Sequence, residues 1–209
     1  MGMHQSIRGE VHSTIGNGDL VGVAPRDGSD AECDPRADFR ERLGLTQTTY
    51  AFDAAGYHIV VLDCLQITDD MLHYHGLVSA EQLEWLTEDL SRVPGAMPVI
   101  LLLHMPLATA FFGNLKGSTV ASRPDRVVTN NREVLRVFEN HNLVLVLQGH
   151  THVAELIQWR GITFLTGGAI SGNWWRGAYH DTQEGFSVLT MNHDNIIWDY
   201  VDYGWDAPG

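Results

Sequence analysis

Three short runs of mostly apolar residues, at positions 58–62, 98–103 and 143–147, constrain the fold of this chain more than any other feature. Each run carries apolar side chains at consecutive positions, so both faces of the strand that it forms are expected to be buried, as in a central parallel strand. Stretches with apolar residues at helical spacing lie between the runs. The order strand, helix, strand, helix, strand predicts parallel crossover units in an α/β fold.

The two predicted helices begin at recognisable capping signals. Ser79 and Gln82 form a capping box before the first helix, which is expected to end near Arg92. Asn130 or Asn131 is expected to cap the second helix.

Three predicted hairpins account for much of the remaining chain. The first turns at residues 53–56, the second at residues 160–161 and the third at residues 192–195. The last two predict a mostly antiparallel second sheet that packs on the first. A length of 209 residues fits a single domain over residues 1–209 better than it fits two.

Histidines directly follow two of the predicted strands. His104 follows the run at 98–103, and His150 and His152 follow the run at 143–147. Because the carboxyl ends of parallel strands meet at one edge of a sheet, we expect the three imidazoles to converge. Burying imidazole nitrogens without a cation or water partner would lower the stability of the fold. Neutral imidazole is also a common metal ligand, so a bound metal ion would satisfy these groups. A histidine pair alone is more often a satisfied core or surface feature, so the metal-site prediction depends on this placement.

Composition narrows the possible partners and the compartment. A formal net charge of −13 argues against binding to a phosphate backbone, which requires a positive face, so nucleic acid is not an expected partner. Cys33 and Cys64 are predicted to be free thiols rather than a disulfide framework. The sequence shows no leader pattern and no apolar run long enough to cross a bilayer, which predicts a cytoplasmic protein that does not bind membranes.

The chain resembles the calcineurin-like metallophosphoesterases, and in particular bacterial members close to the cyclic-nucleotide phosphodiesterase type. The resemblance runs from about Val11 to Trp205. It is carried by the segments 57–63, 81–86, 103–107, 148–152 and 168–177. It implies a sandwich of two sheets with flanking helices. The first βα units of the family would lie upstream of Val11, so an N-terminally truncated form of this α/β sandwich is expected.

The resemblance also implies a set of metal ligands. Family members bind two metals through an Asp-x-His, a bridging Gly-Asp, a Gly-Asn-His, a lone His and a Gly-His-x-His. Asn17, His104 and His150 match ligands of one metal, and His152 matches a ligand of the other. Because the Asp-x-His and the Gly-Asp have no counterpart upstream of Asn17, about one divalent transition metal per chain is expected, namely Zn, Mn, Fe or Ni. Gly18 replaces the histidine that assists leaving-group departure, so the catalytic residue stays unidentified.

Trp174, Trp175 and Arg176 are predicted to bind substrate, with Arg176 holding an anionic group. The alternative for this segment is a packed aromatic corner between the sheets.

Two functions remain open at this point. One is a metal-dependent phosphoesterase with a reduced metal site and a small phosphodiester or phosphomonoester substrate; the other is a non-catalytic or repurposed mononuclear metal-binding protein. A second copy of the chain is also expected, in a homodimer or higher oligomer that covers an exposed strand edge.

Overall fold

The computed structural model of the chain describes residues 9–21, 34–69, 73–192 and 195–207. Within these ranges the helices are α1 (Ala37–Leu43), α2 (Ala80–Leu90), α3 (Phe111–Lys116) and α4 (Asn131–Val137). The strands are β1 (Tyr50–Ala54), β2 (Tyr57–Leu62), β3 (Leu65–Ile67), β4 (Tyr74–Gly76), β5 (Pro98–Leu103), β6 (Asn142–Gln148), β7 (Ala154–Trp159), β8 (Ile162–Gly167), β9 (Gly185–Asn192) and β10 (Asn195–Asp202). A 3-10 turn at Asn17–Asp19 precedes them.

Six strands form a central sheet in the order β1-β2-β5-β6-β8-β7. The inner strands β2, β5, β6 and β8 are parallel, whereas β1 and β7 pair antiparallel with their neighbours at the two edges. The three apolar runs are the strands β2, β5 and β6, so the predicted crossover architecture is confirmed. That a second copy covers one edge stays a prediction, which light scattering in solution would test.

Apolar side chains are buried on both faces of the central sheet. One face packs against α2 and α4 through Val60, Leu101, Val146, Leu86, Leu90 and Val134. The other face packs against the β9–β10 hairpin through Ile100, Leu145, Leu165, Leu189, Met191 and Trp198. Consecutive apolar residues along β2, β5 and β6 are therefore required by packing on two sides. The predicted antiparallel sheet is present on the second face, where it consists of β9 and β10. The prediction that the β7–β8 hairpin joins it is wrong, because β8 pairs parallel with β6 and so extends the central sheet.

The capping prediction holds for α2 and differs for α4. The Gln82 N–H donates to Ser79 Oγ at 3.2 Å, and the Ser79 N–H donates to Gln82 Oε1 at 2.9 Å. Asn130 stands at the start of α4, but its side chain does not cap that helix. Its amide instead donates to the Val78 carbonyl at 2.8 Å and accepts from the Val78 N–H at 3.1 Å. This pair of bonds ties the start of α4 to the segment that leads into α2.

The remaining turns follow the predicted positions. Arg160 at φ 52° and Gly161 at φ 81° form the tight turn between β7 and β8. The β9–β10 hairpin is also formed, while residues 193 and 194 lie outside the described part of the chain. Cys64 is buried with a free thiol, and Cys33 lies outside the described residues. Among the described helices, none has both the length and the apolar character needed to cross a bilayer.

Candidate metal centre

Neighbouring parallel strands carry His104 and His150 to the same edge of the central sheet. His104 directly follows β5, and His150 lies just beyond the end of β6. A hydrogen bond of 2.9 Å from the Gly149 N–H to the His104 carbonyl joins the two strand ends. The two imidazoles therefore meet at the carboxyl ends of the strands, where the pairing of parallel strands places them.

Asn17 reaches both imidazoles from the 3-10 turn. Its Oδ1 lies 2.8 Å from Nε2 of His104 and 3.1 Å from Nδ1 of His150. The two ring nitrogens are 3.1 Å apart. We call Asn17, His104 and His150 the ligand triad. Atoms that bind one ion at about 2.1 Å and at right angles lie about 3 Å apart, so these separations suit a shared cation.

The orientation of the His150 ring is set by a backbone carbonyl. Its Nε2 lies 2.9 Å from the carbonyl oxygen of Asp125. A carbonyl can only accept a hydrogen bond, so Nε2 carries the proton and Nδ1 turns a lone pair toward Asn17 and His104. This is the arrangement by which a backbone group fixes the tautomer of a metal-binding histidine.

Both imidazoles of the triad are held in the neutral form. Burial, together with the smaller effects of the nearby His150 and His152, lowers the pKa of His104 to about 3. Burial also lowers the pKa of His150, with the hydrogen bond to the Asp125 carbonyl acting in the opposite direction. The rings are thus unprotonated at neutral pH, as binding to a cation requires.

The donor set of the triad fits a cation better than it fits hydrogen bonding alone. With Nε2 of His150 protonated, its Nδ1 and the Asn17 Oδ1 face each other as two acceptors at 3.1 Å. Positive charge between them converts this repulsion into attraction. The triad contains two imidazoles and one amide oxygen, a mixed donor set that suits a transition metal.

His152 lies beside the triad and is not part of it. Its Nδ1 donates to the Gly172 carbonyl at 2.7 Å, and its ring stacks on Trp174 with the centroids 4.6 Å apart. His150 and His152 have φ values of 70° and 59°, so the backbone adopts the left-handed region at both residues. His152 nevertheless lies near enough to lower the pKa of His104 and of His150, and its role as a metal ligand stays a prediction. Among the described residues no group of three His, Cys, Asp or Glu side chains is placed to hold an ion.

An exposed aromatic loop adjoins His152. Trp174 and Trp175 are 56% and 53% exposed, which differs from the packed corner considered as an alternative. The Trp174 ring contacts both His152 and Tyr179, with its centroid 5.7 Å from that of Tyr179. Arg176 is exposed and forms no ion pair with the described carboxylates. The three predicted substrate-binding residues thus lie at the surface, and Trp174 contacts the site through His152.

The backbone of this loop is strained. Trp174 and Trp175 have φ values of 51° and 65°, and both are bulky residues that rarely adopt the left-handed region. Strain of this kind persists where the surrounding structure holds it, often at ligand-binding sites.

The turn that carries Asn17 depends on its neighbours. The Gly16 N–H donates to Asp19 Oδ2 at 2.9 Å, so Asp19 closes the turn. A Cβ at Gly16 would lie 3.0–3.3 Å from three atoms of the His104 ring, whereas a Cβ at Gly18 would meet nothing within 4 Å. The missing side chain at Gly16 therefore lets the turn lie against His104. Gly18 stands where the family has a histidine, and the space that its side chain would occupy is open.

Two buried residues that sequence reasoning missed hold the segment after His104. The Met105 N–H donates to Cys64 Sγ at 3.3 Å. Gln148 accepts from the Leu107 N–H at 3.0 Å and donates to Thr166 Oγ1 at 3.0 Å. A polar residue at the end of an apolar strand is a signal that could have identified Gln148. Burial raises the pKa of Cys64 to about 12, so its thiol stays protonated and supports the segment rather than binding metal.

Comparisons with known proteins agree with this fold. A family model described as calcineurin-like phosphoesterase matches residues 3–154. A dimetal phosphatase from Danio rerio is 16% identical at a TM-score of 0.52, over 74% of this chain and 59% of the solved chain. GAP50, described as the anchor in the inner membrane complex of Plasmodium, is 13% identical at a TM-score of 0.50, over 78% of this chain and 53% of its own. This chain therefore spans less than two thirds of either structure. No curated protein is similar enough to count as a match.

Proposed function

Because the chain belongs to the calcineurin-like phosphoesterase family, we propose that it is a metal-dependent hydrolase that acts on a small phosphodiester or phosphomonoester through a reduced metal site. The observation that carries this proposal is the ligand triad, in which three donor atoms from distant parts of the chain lie within 3.1 Å of one another. Such convergence of neutral donors is expensive to build without a cation to satisfy it.

Asn17, His104 and His150 would hold one divalent transition metal. A divalent ion bound at such a site supplies Lewis-acid chemistry for hydrolysis of a phosphoester. The neutral rings and the amide leave the net positive charge of the ion uncompensated, which favours an anionic substrate next to it. The Asp125 carbonyl keeps the His150 ring directed at the triad, and the buried thiol of Cys64 supports the segment that follows His104.

The aromatic loop would bind the organic part of the substrate. Trp174 presents a half-exposed indole against the ring of His152, which lies near the triad. Aromatic side chains bind flat organic groups by stacking, and an unpaired guanidinium such as that of Arg176 binds phosphate oxygens through two parallel hydrogen bonds. This arrangement favours a phosphoester with a planar organic group.

Metal content and hydrolysis, measured together on untagged protein, test the proposal. About one transition metal per chain by mass spectrometry and hydrolysis of bis(p-nitrophenyl) phosphate are expected. His104→Ala should abolish both. His73→Ala is the matched control, because His73 is an exposed loop histidine that bonds to Asp69 and lies outside the triad. Wild-type protein that is folded, free of metal and unable to take up Mn or Zn would refute the proposal.

A second candidate function is a non-catalytic protein that binds one metal through the same triad. The open space at Gly18 favours it, because no side chain there could donate a proton to a leaving group. The activity of the metal-loaded protein distinguishes the two candidate functions. Full occupancy without turnover of aryl or alkyl phosphoesters would support the non-catalytic protein and exclude the hydrolase.

A further inference from the structure

A cavity of about 480 Å³ lies at the opposite end of β6 from the ligand triad. Asn142, the first residue of β6, lines it, whereas His150 follows the last residue of that strand. The strand has seven residues, which places the cavity about 20 Å from the triad. We call it the arginine cavity, since Arg132 and Arg136 of α4 and Arg160 of the β7–β8 turn all line it. Its volume is in the usual range for small-molecule sites.

The three arginines form no ion pair among the described residues. None of them forms an ion pair with a carboxylate in the described part of the chain, whereas Arg36, Arg40, Arg42, Arg92, Arg123 and Arg126 all do. The chain has only 13 Lys and Arg residues against 26 Asp and Glu, so carboxylates are abundant elsewhere. Three guanidinium groups without ion pairs make this cavity positively charged although the protein as a whole is acidic, and this favours the binding of an anion.

Local helix chemistry does not account for this arrangement. Arg132 and Arg136 are one turn apart on the same face of α4, where like charges repel. Arg136 suits the negative end of the helix dipole, but Arg132 lies in the first turn, where a positive charge is unfavourable. An anion in the cavity would offset both costs, because it would lie within reach of the two side chains and of Arg160.

An exposed aromatic side chain of the cavity indicates what the rest of the ligand is. Trp159 is 51% exposed at the cavity, and the guanidinium of Arg160 lies 5.1 Å from its ring centroid. The guanidinium lies over one face of the indole, and a planar ring can stack on the exposed part of this pair.

We propose that the arginine cavity binds a mononucleotide, with its phosphate on Arg132, Arg136 and Arg160 and its base against Trp159. Guanidinium forks match phosphate oxygens, and the volume of the cavity is sufficient for one nucleoside monophosphate. Glu139 also lines the cavity and limits the negative charge that it can accept. This site is separate from the proposed hydrolytic site and does not depend on metal there.

Calorimetric titration with AMP at fixed ionic strength tests the proposal. The protein is first freed of metal, so that AMP, itself a phosphomonoester, does not bind at the ligand triad. Under this condition wild-type protein and His150→Ala should bind AMP equally. Arg136→Ala and Arg160→Ala should each weaken binding at least about tenfold, since each removes a charged hydrogen-bonding group. Glu139→Gln should tighten binding, because it removes a negative charge from the cavity. Arg92→Ala is the matched control, since Arg92 is an exposed arginine paired with Glu88 outside the cavity. The side chains of Arg92, Arg136, Glu139 and Arg160 are exposed, so substituting them leaves the core intact.

Two additional probes separate the parts of the ligand. Adenosine lacks the phosphate and inorganic phosphate lacks the base, so each should bind more weakly than AMP. Binding of AMP that is lost in His150→Ala and kept in both arginine variants would overturn the proposal, as would the absence of AMP binding. Inorganic phosphate that binds as tightly as AMP would overturn the assignment of a nucleotide.

Discussion

The Nε2 atom of His150 lies 2.9 Å from the backbone carbonyl oxygen of Asp125. This contact leaves the lone pair of Nδ1 directed toward Asn17 and His104, so a backbone group outside the triad decides which ring nitrogen the triad uses. The carbonyl belongs to a loop that is bound to strand β4, because the Gly76 N–H donates to the Pro124 carbonyl at 2.7 Å.

Gly76→Ala is expected to weaken metal binding without touching the triad. A Cβ at Gly76 would lie 2.2 Å from the carbonyl oxygen of Val127, so the loop that carries Asp125 must shift. Loss of an outer contact to a metal-binding histidine typically costs 10–100-fold in affinity. Competition with a chelator would measure the change. Gly95→Ala is the control, because a Cβ there meets nothing within 4 Å. Equal affinities in the two variants would show that the Asp125 carbonyl does not position His150.

Gly16→Ala is expected to lower metal content, whereas Gly18→Ala is expected to leave it unchanged. The new methyl at position 16 would lie 3.0–3.3 Å from three atoms of the His104 ring and would displace either the ring or the turn of Asn17. The same change at position 18 meets open space in the same turn. Metal per chain by mass spectrometry reads out the difference. Identical occupancy in both variants would mean that Asn17 and His104 do not share an ion.

Much of the fold and part of the site could be predicted from the sequence. Apolar runs of strand length can be read directly, because burial on two faces requires apolar side chains at consecutive positions. Placement of His104 and His150 at one edge follows from the same pattern, since parallel strands end together. The capping box at Ser79 is equally local, and it is confirmed.

The features that escaped prediction depend on backbone direction and distant contacts. His152 has a φ of 59° and bonds to the Gly172 carbonyl, neither of which an H-x-H spacing reveals. The carbonyl of Asp125 acts through the main chain, so residue type carries no signal of its role. The side chain of Asn130 does not cap α4, because its amide bonds instead to the backbone N–H and carbonyl of Val78, which is 52 positions away.

Asn17→Asp is expected to raise the affinity for Mn or Zn. If the oxygen of Asn17 is directed at the ion, as its separations of 2.8 and 3.1 Å from the two ring nitrogens imply, a carboxylate there adds a charged oxygen ligand. Calorimetric titration of metal-free protein would measure it. An amide that instead donates N–H groups to the rings would give the opposite result, because a carboxylate would then face two lone pairs and metal binding would not improve.

Asp63→Asn is expected to lower the free energy of unfolding by about 2–4 kcal/mol. The Asp63 carboxylate is only 4% exposed and accepts from Arg36 Nε at 2.5 Å, from Thr48 Oγ1 at 2.8 Å and from the Leu65 N–H at 2.9 Å. An amide loses the charge and turns a donor toward one of these donors. Urea unfolding would measure the loss. Glu88→Gln, in the exposed pair with Arg92, should cost less than about 1 kcal/mol, and equal costs would contradict the structural role of Asp63.

Gly18→His is expected to raise the hydrolysis of alkyl phosphodiesters more than that of aryl phosphodiesters. A Cβ at position 18 meets nothing within 4 Å, so the turn of Asn17 can carry a histidine where the family has one. General acid help is worth roughly 10²–10⁴-fold when a poor leaving group needs a proton, and far less when an aryl group leaves unaided. Rates for both substrates at equal metal occupancy would show the effect, and Gly18→Ala controls for loss of the glycine. An equal rise for both substrates would indicate a change in binding rather than proton donation. No turnover of either substrate by a fully metallated Gly18→His protein would support the non-catalytic alternative, because a general acid placed at that position would then have no reaction to assist.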